Sequence, residues 1–450
     1  MSSRIKQSLS YLNNLKKIPL DAQAVDCLFS AKAFKHELLK QIENAQQRIY
    51  LVALYLEADT AGAELLLALY EAKRRTPSLD VVVCIDYHRA QRGLIGEKTV
   101  TSTNATWYQE VERIHDLGIK IVGIPVKRKE LFGVQHLKGF IFDDRILYSG
   151  ASFNDIYLHQ NDRYRYDRYW LLQNKTLADT MVAYLQKEIL SSDATALLNV
   201  ARITPFSELK KAHKKLVRDL RQSYFHYQGE LLTETLSVTP LCGLGVRNNA
   251  LNLCIRKLLQ STQDELVLFT PYFNFPGAIA RDIANLLQRG VKLTIVVGDK
   301  TANDFYIPED KPFRTIGGLP YLYECNLKRF VKQHQARLKT QQLSINLWSH
   351  ENNSFHLKGL YCDQRFILLT GHNLNPRAWR LDVENGLLID DPKQQLKTLM
   401  GKEFAHIMAH TRRVNDVDDI EGLQDYPEHV RKLLVRMRRV KADKLVKGII

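Results

Sequence analysis

The sequence predicts an α/β protein of two pseudo-symmetric halves, each a mixed sheet flanked by helices, with the functional site where the halves meet. The first indication is an internal repeat: HLKGFIFDDRILYSGASFN at 136–154 returns as HLKGLYCDQRFILLTGHNLN at 356–375. The second is that one order of helices and apolar strands precedes both copies. The third is that these strands are continuous apolar runs, as expected of sheets covered on both faces. The repeat spans about residues 1–200 against 235–415, which excludes a short solenoid unit. We divide the chain into a first half (1–205), a basic helical connector (206–234), a second half (235–415) and a basic amphipathic tail (416–450).

In chain order, AKAFKHELLKQIENA sets Phe34, Leu38, Leu39 and Ile42 at helical spacing and leads into the buried strand RIYLVALYLE. The amphipathic helix AGAELLLALYEAKRR follows, then a second strand, LDVVVCIDYHR. AQRGLIGEKTVTSTNATW is polar and glycine-containing and reads as a loop over a site. A helix and strand in VERIHDLGIKIVGIP precede the first motif. The second half repeats this with RNNALNLCIRKLLQ, DELVLFTPYFN, AIARDIANLLQRG, VKLTIVVGDK and LSINLW. Beyond each motif comes another strand, DRYWLLQN or ENGLLIDD, which aligns Asp167 with Glu384, and then a helix.

The chain carries 64 Lys and Arg against 49 Asp and Glu, a formal charge of +15, which favours an anionic partner: nucleic acid, an acidic lipid surface or a phosphorylated substrate. The cysteines Cys27, Cys84, Cys242, Cys254, Cys325 and Cys362 form no C-x-x-C pair and no cluster with His, so buried thiols in a reducing compartment are expected. The start, MSSRIKQSLSYLNNLKKIPL, lacks the apolar core of a signal peptide, and no segment has the length of a membrane span. A cytoplasmic protein, with any membrane contact peripheral, is the expectation. In the connector, Leu209, Leu216 and Leu220 are available for packing on a basic, otherwise solvated helix. In the tail, Val430, Leu433, Leu434, Met437, Val440 and Leu445 share one helical side opposite Arg431, Arg436, Arg438, Arg439 and Lys444. That composition suits a helix lying on anionic lipid, and equally a terminal helix packed on the body.

Both motif copies read H-x-K-x-x-x-x-D, an apolar run, then G-x-x-x-N. His136, Lys138, Asp143, Gly150 and Asn154 therefore correspond to His356, Lys358, Asp363, Gly371 and Asn375. On a strand, His and Lys two residues apart share a face, while the Asp has the opposite parity and faces away. His and Lys are thus expected to perform chemistry, with Asp143 and Asp363, counted in the same catalytic signature, in a mainly structural part.

The doubled pattern resembles the H-K-D signature of the phospholipase D superfamily, and this implies phosphoryl transfer through a phosphohistidine. The resemblance assigns the nucleophile to His136 and the general acid and base to His356. Lys138 and Lys358 would neutralise the non-bridging oxygens, Asn154 and Asn375 would donate further hydrogen bonds, and Asp167 and Glu384 would orient the histidines. The mechanism implies no metal and no cofactor. GHNLNPRAWRLDVEN follows the superfamily's second-half block closely, whereas GASFNDIYLHQNDRYRYDRYW departs from it with an Arg/Tyr-rich insertion.

That insertion, the length and the basic tail resemble the phosphatidylserine synthases of Gram-negative bacteria. The implied reaction converts CDP-diacylglycerol and L-serine to phosphatidylserine and CMP by way of a phosphatidyl-histidine. Arg163, Arg165 and Arg168, with Arg89 and Arg92 in the loop after the second strand, are candidates for the cytidine phosphate or are surface charge. Implied partners are an anionic phospholipid surface and, for so basic a chain, the ribosome; no specific nucleic-acid substrate is expected. Cardiolipin synthase, a phospholipase D-type hydrolase and a superfamily nuclease or phosphodiesterase are the alternatives of the same chemistry.

Overall fold

The computed structural model describes residues 3–92, 102–439 and 448. Its two halves are matched mixed sheets. The first has eight strands in the order Ala196–Leu197, Lys120–Ile124, Asp80–Asp86, Arg48–Val52, Gly139–Phe142, Arg145–Ser149, Tyr169–Gln173 and Val25–Leu28. The second runs Thr411–Val414, Leu343–Trp348, Lys292–Gly298, Glu265–Thr270, Gly359–Cys362, Phe366–Thr370, Val383–Asp390 and Ser237–Leu244, with Ile18–Pro19 added at the edge. In each sheet the three strands ahead of the motif pair in parallel, and the motif strand joins them antiparallel.

The apolar runs are explained by burial on both faces. Val82 and Cys84 belong to a core shared with the other half, in which Val296, Trp348, Val383 and Leu387 take part. Their neighbours Val81, Val83 and Ile85 face the first half's own outer core. The second half has its own counterpart around Ile255, Leu268 and Ile295. The helix Ala31–Asn44 begins at Ser30, whose side chain accepts from Ala33 N, and buries Phe34, Leu38 and Ile42 at the expected spacing.

The chain start does not stay with the half it precedes. The helix Ser3–Asn13 puts Leu12 in the second half's core, and Ile18 pairs with Val238. Lys17 Nζ lies 2.7 Å from Asp390 Oδ2, both buried. The first half as drawn from residue 1 therefore gives its first helix and first strand to the second half, the strand joining the second sheet. Order along the chain suggested otherwise, and a two-residue strand leaves no periodicity to read.

Of the polar loop 90–107, residues 93–101 lie outside the described residues, and the helix Asn104–His115 has already begun at its end. The connector forms the helix Phe206–Leu220 and buries Leu209, Leu216 and Leu220 together with His213. The tail helix Glu428–Arg439 packs back on the body: Val430 and Leu434 join Tyr321, Leu322, Cys325 and Tyr426. Its apolar side is thus committed to the fold, while Arg431, Lys432, Arg436, Arg438 and Arg439 stay exposed. Val440, Lys444 and Leu445 lie outside the described residues. All six cysteines are free and buried. Among the described residues no helix is long and apolar enough to cross a membrane.

Candidate active site

The histidine and lysine of each motif precede the strand instead of lying in it. The strands begin at Gly139 and Gly359, whose φ values of 127° and 136° strongly favour glycine. There the backbone leaves its own sheet and reaches the other half. His136 N donates to Val383 O at 3.1 Å and His356 N to Tyr166 O at 2.8 Å. Each catalytic candidate is therefore stitched into the opposite half, and strand parity does not decide its direction.

The carboxylates cross in the same way. Glu384, from the second half, has both oxygens 2.9 Å from Nδ1 of His136 in the first. Asp167, from the first half, lies 3.3 Å from Nδ1 of His356 and 2.7 Å from Nζ of Lys358. Asn385 and Arg168, the residues after these carboxylates, hold the lysine backbones. Asn385 Oδ1 accepts from Lys138 N at 2.7 Å, and Arg168 Nη1 donates to Lys358 O at 3.4 Å. Even the motif glycines serve the opposite half. A Cβ on Gly150 would fall 2.5 Å from Lys358 Nζ, and one on Gly371 would fall 2.8 Å from Lys138 Cγ.

His136, Lys138, His356 and Lys358 are all buried. Burial, followed by the Lys138 and Lys358 charges, holds the His136 imidazole well below its ordinary pKa. The ring is neutral; burial and Asp382 push the Glu384 carboxyl well above its usual range while Lys138 and Lys358 draw it back, and in the ionised form its oxygens only accept, which assigns the ring proton to Nδ1. Nε2 keeps its lone pair. His356 is also kept neutral, at about 4, by burial and by Lys358. Its Nδ1, however, is 2.6 Å from the Lys358 ammonium, which only donates, and 2.9 Å from the Tyr157 hydroxyl. Asp167, an acceptor, lies farther from Nδ1 than the lysine does, and on that geometry we assign Nδ1 as acceptor and the proton to Nε2. One histidine thus offers a lone pair and the other a proton. Burial opposes ionisation of Asp167, but Lys358 and His356 hold its pKa down to about 2. Burial and Lys358 bring Lys138 down to about 7, and its Nζ donates to Ala151 O and Ser152 Oγ.

Asp143 and Asp363 do not join this group. Each sits in the left-handed region, with φ of 50° and 51°, at the far end of the motif strand. Asp143 accepts from the backbone N of Gln46, Gln47 and Arg48, and Asp363 from Gln263, Asp264 and Glu265. The seven-residue separation from the histidine spans roughly 20 Å of extended chain, so the carboxylates anchor the turns that start the neighbouring strands. Asn154 and Asn375 spend their Oδ1 atoms on Tyr157 N and Ala378 N, both at 3.0 Å, which leaves their amide groups to donate; that of Asn154 lies 3.3 Å from Glu57 Oε2.

The five arginines separate. Arg168 is 3% exposed, pairs with Glu403 at 2.9 Å and stacks over Phe269 and Tyr361, so it braces the interface and is removed from the substrate candidates. Arg89 pairs with Glu57 at 2.8 Å over the Tyr55 ring, and Arg92 pairs with Glu130. Arg92 and Arg163 line a cleft of about 760 Å³ that also includes Asn154, Asp155 and Asp162. Arg165 lies beside His356: its Nε is 2.8 Å from Asp304 Oδ1, and Asp304 Oδ2 is 3.8 Å from His356 Nε2. Tyr157, Tyr272 and Asp304 went unmarked in the sequence. Tyr157 stands three residues after Asn154 inside the divergent insertion, the single signal that pointed toward it. Among the described residues no three His, Cys, Asp or Glu side chains are grouped to hold a metal ion.

Comparison with known proteins places this geometry. The family described as cardiolipin synthase, PLD-like domain, matches residues 255–408. A CDP-diacylglycerol–serine O-phosphatidyltransferase of Escherichia coli (strain K12) is 45% identical, covering 100% of both chains, and its Haemophilus influenzae counterpart is 46% identical, covering 100% of this chain and 99% of that one. A CDP-diacylglycerol–glycerol-3-phosphate 3-phosphatidyltransferase of Saccharomyces pastorianus is 24% identical over 93% of this chain and 89% of its own. The crystal structure of the phosphatidylserine synthase from Haemophilus influenzae Rd KW20 superposes with a TM-score of 0.96 at 45% identity, over 100% of both chains. With two crossed His–Lys pairs and end-to-end likeness to these enzymes, the chain belongs to the CDP-diacylglycerol–serine O-phosphatidyltransferases of the phospholipase D superfamily.

Proposed function

We propose that the protein transfers the phosphatidyl group of CDP-diacylglycerol to L-serine through a phosphatidyl-histidine on His136. The observation that carries this is the difference at Nδ1 of the two buried histidines, a carboxylate on His136 and the Lys358 ammonium at 2.6 Å on His356. His136 Nε2 attacks the phosphorus bearing the diacylglycerol, and the bond to the CMP oxygen breaks. His356 Nε2–H gives its proton to that oxygen as CMP leaves, while the Lys358 ammonium passes a proton to His356 Nδ1, so the ring stays neutral. In the second half-reaction His356 Nε2 takes the serine hydroxyl proton as Nδ1 returns its own to Lys358, serine Oγ attacks phosphorus, and the P–N bond returns its electrons to His136. Lys138 and Lys358 stabilise the non-bridging oxygens in both steps. Asp304 near His356 Nε2 supports the division of labour, since negative charge there disfavours a phosphorus electrophile at that ring.

Substrate reaches the enzyme at a membrane surface. The exposed arginines of the tail helix supply charge for anionic lipid, each worth about 1 kcal/mol near such a surface. Docking by this basic face keeps Val430 and Leu434 in the fold. Purified protein given CDP-diacylglycerol with water, serine, glycerol or phosphatidylglycerol in turn tests the reading. Phosphatidylserine with CMP release is expected; phosphatidate or cardiolipin as the main product overturns it.

A further inference from the structure

Keeping phosphorus off His356 does not by itself call for a carboxylate held by a partner arginine beside the proton-carrying nitrogen. Asp304 is nevertheless fixed there: Oδ2 accepts from the Tyr272 hydroxyl at 3.0 Å, and Oδ1 faces Arg165 Nε at 2.8 Å. Arg165 is held in turn by Ser354 Oγ at 3.3 Å, the Tyr55 hydroxyl at 3.5 Å and the Tyr157 ring, 4.7 Å from its guanidinium carbon. The rings of Tyr157 and Tyr272 stand edge-on to His356, 5.8 and 5.9 Å away. Burial works against the Asp304 charge, but Arg165 and His356 keep its pKa below the ordinary value. A fixed anion and cation therefore lie side by side at the atom that must deprotonate the acceptor.

We infer that Asp304 and Arg165 form the subsite that reads the acceptor as an α-amino acid, Asp304 taking the ammonium and Arg165 the carboxylate. The 3.8 Å between His356 Nε2 and Asp304 Oδ2 is too long for a direct hydrogen bond. It suits a molecule whose hydroxyl and ammonium sit on adjacent carbons, one donating to each. Serine has that arrangement, with its carboxylate on the ammonium-bearing carbon and Arg165 beside Asp304 to receive it. Water makes no use of the pair. Glycerol 3-phosphate has no cation for Asp304 and adds negative charge next to it, so the same group that binds serine rejects it.

The inference rests on the serine-transfer reading, and the test separates the two. Full-length enzyme in detergent micelles with CDP-diacylglycerol is offered serine, ethanolamine, 3-hydroxypropionate or glycerol, and each transfer rate is divided by the exchange of labelled CMP into CDP-diacylglycerol. The unsubstituted enzyme should use ethanolamine poorly but measurably and 3-hydroxypropionate, which lacks the ammonium, not at all. Asp304→Asn should lower the serine and ethanolamine ratios by roughly ten- to a hundredfold, the usual worth of a charge-assisted hydrogen bond, chiefly through KM. Arg165→Gln should lower the serine ratio by a similar factor while the ethanolamine ratio stays within about twofold. Equal use of 3-hydroxypropionate and serine overturns the subsite without any variant. So does a proportional fall of every acceptor in Asp304→Asn, which would make Asp304 a positioning residue for His356. Enzyme that exchanges CMP yet makes no phosphatidylserine overturns the serine reading itself.

Discussion

His136 and His356 occupy matched places in matched sheets, yet their surroundings differ. His136 has one partner for Nδ1, the two oxygens of Glu384. His356 has three neighbours there, Tyr157, Asp167 and Lys358, and a further carboxylate, Asp304, near Nε2. A two-fold frame copied the motif, and the residues outside the motif then broke the symmetry of the chemistry. Duplication supplies two buried imidazoles at one interface; in the reaction proposed above, divergence of their neighbours makes one a nucleophile and the other a proton carrier.

Removing each ring in turn tests that division most severely. His136→Ala should abolish serine-independent exchange of labelled CMP into CDP-diacylglycerol. His356→Ala should retain part of it while serine transfer collapses, because CMP leaves as a weak base and a serine hydroxyl needs its proton taken. The reverse pattern would move the nucleophile to the second half.

The glycines that make room for the opposite lysines should also be unequal. In Gly150→Ala the new methyl meets the Lys358 ammonium and the Asp167 oxygens at 2.5 and 2.8 Å. Overpacking of this kind costs about 1–3 kcal/mol, so exchange should fall roughly tenfold or more. Gly371→Ala meets the uncharged Cγ of Lys138 at 2.8 Å, with its next contacts at 3.5 Å, and should cost only a few-fold. Equal losses would mean that Lys358 is not held more rigidly than Lys138.

Asp143 and Asp363 should be alike. Replacing either by Ala removes acceptors for three backbone amides and should cost about 1–3 kcal/mol of stability, read by denaturant melting, with CMP exchange per folded molecule little changed. A loss of exchange without a loss of stability would return them to the site.

The smallest effect is one of pH. Lys138, at about 7, is an ammonium below neutrality and loses its charge above it, so kcat/KM for exchange should decline on the alkaline side with a midpoint near that value. Lys138→Arg should carry activity further into alkali, because a guanidinium stays charged. Constant activity to about pH 10, the ordinary lysine range, would show that Lys138 keeps an ordinary ammonium.

The halves, the order of elements along the chain into each motif and the paired carboxylates were legible because each is written twice. Asp167 and Glu384 emerged from nothing more than their equal place in the two copies. Whatever breaks the symmetry was illegible for the same reason. Asp304 lies in a loop with no partner to align, and its relation to His356 exists only once Arg165, from the other half, closes over it. Arg168 looked like one more surface charge in a run of Arg and Tyr. Its burial depends on Glu403, 235 residues away. Strand parity failed at His136 and Lys138 because Gly139 takes the backbone out of the ladder just where the motif does its work.

The chain start carries a consequence for biosynthesis. Lys17 emerges from the ribosome early, but Asp390, its buried partner, follows 373 residues later. At the usual 5–20 residues per second, the leading segment waits on the order of 20–70 s for its seat. A segment made well ahead of its partner is thus among the last to dock, and its arrival covers the open edge of the Ser237–Leu244 strand. Edges of that kind recruit other chains when left bare. A bulky fusion ahead of residue 3 would obstruct this final step, and its penalty would appear as aggregation during expression more than as lost turnover in the folded enzyme.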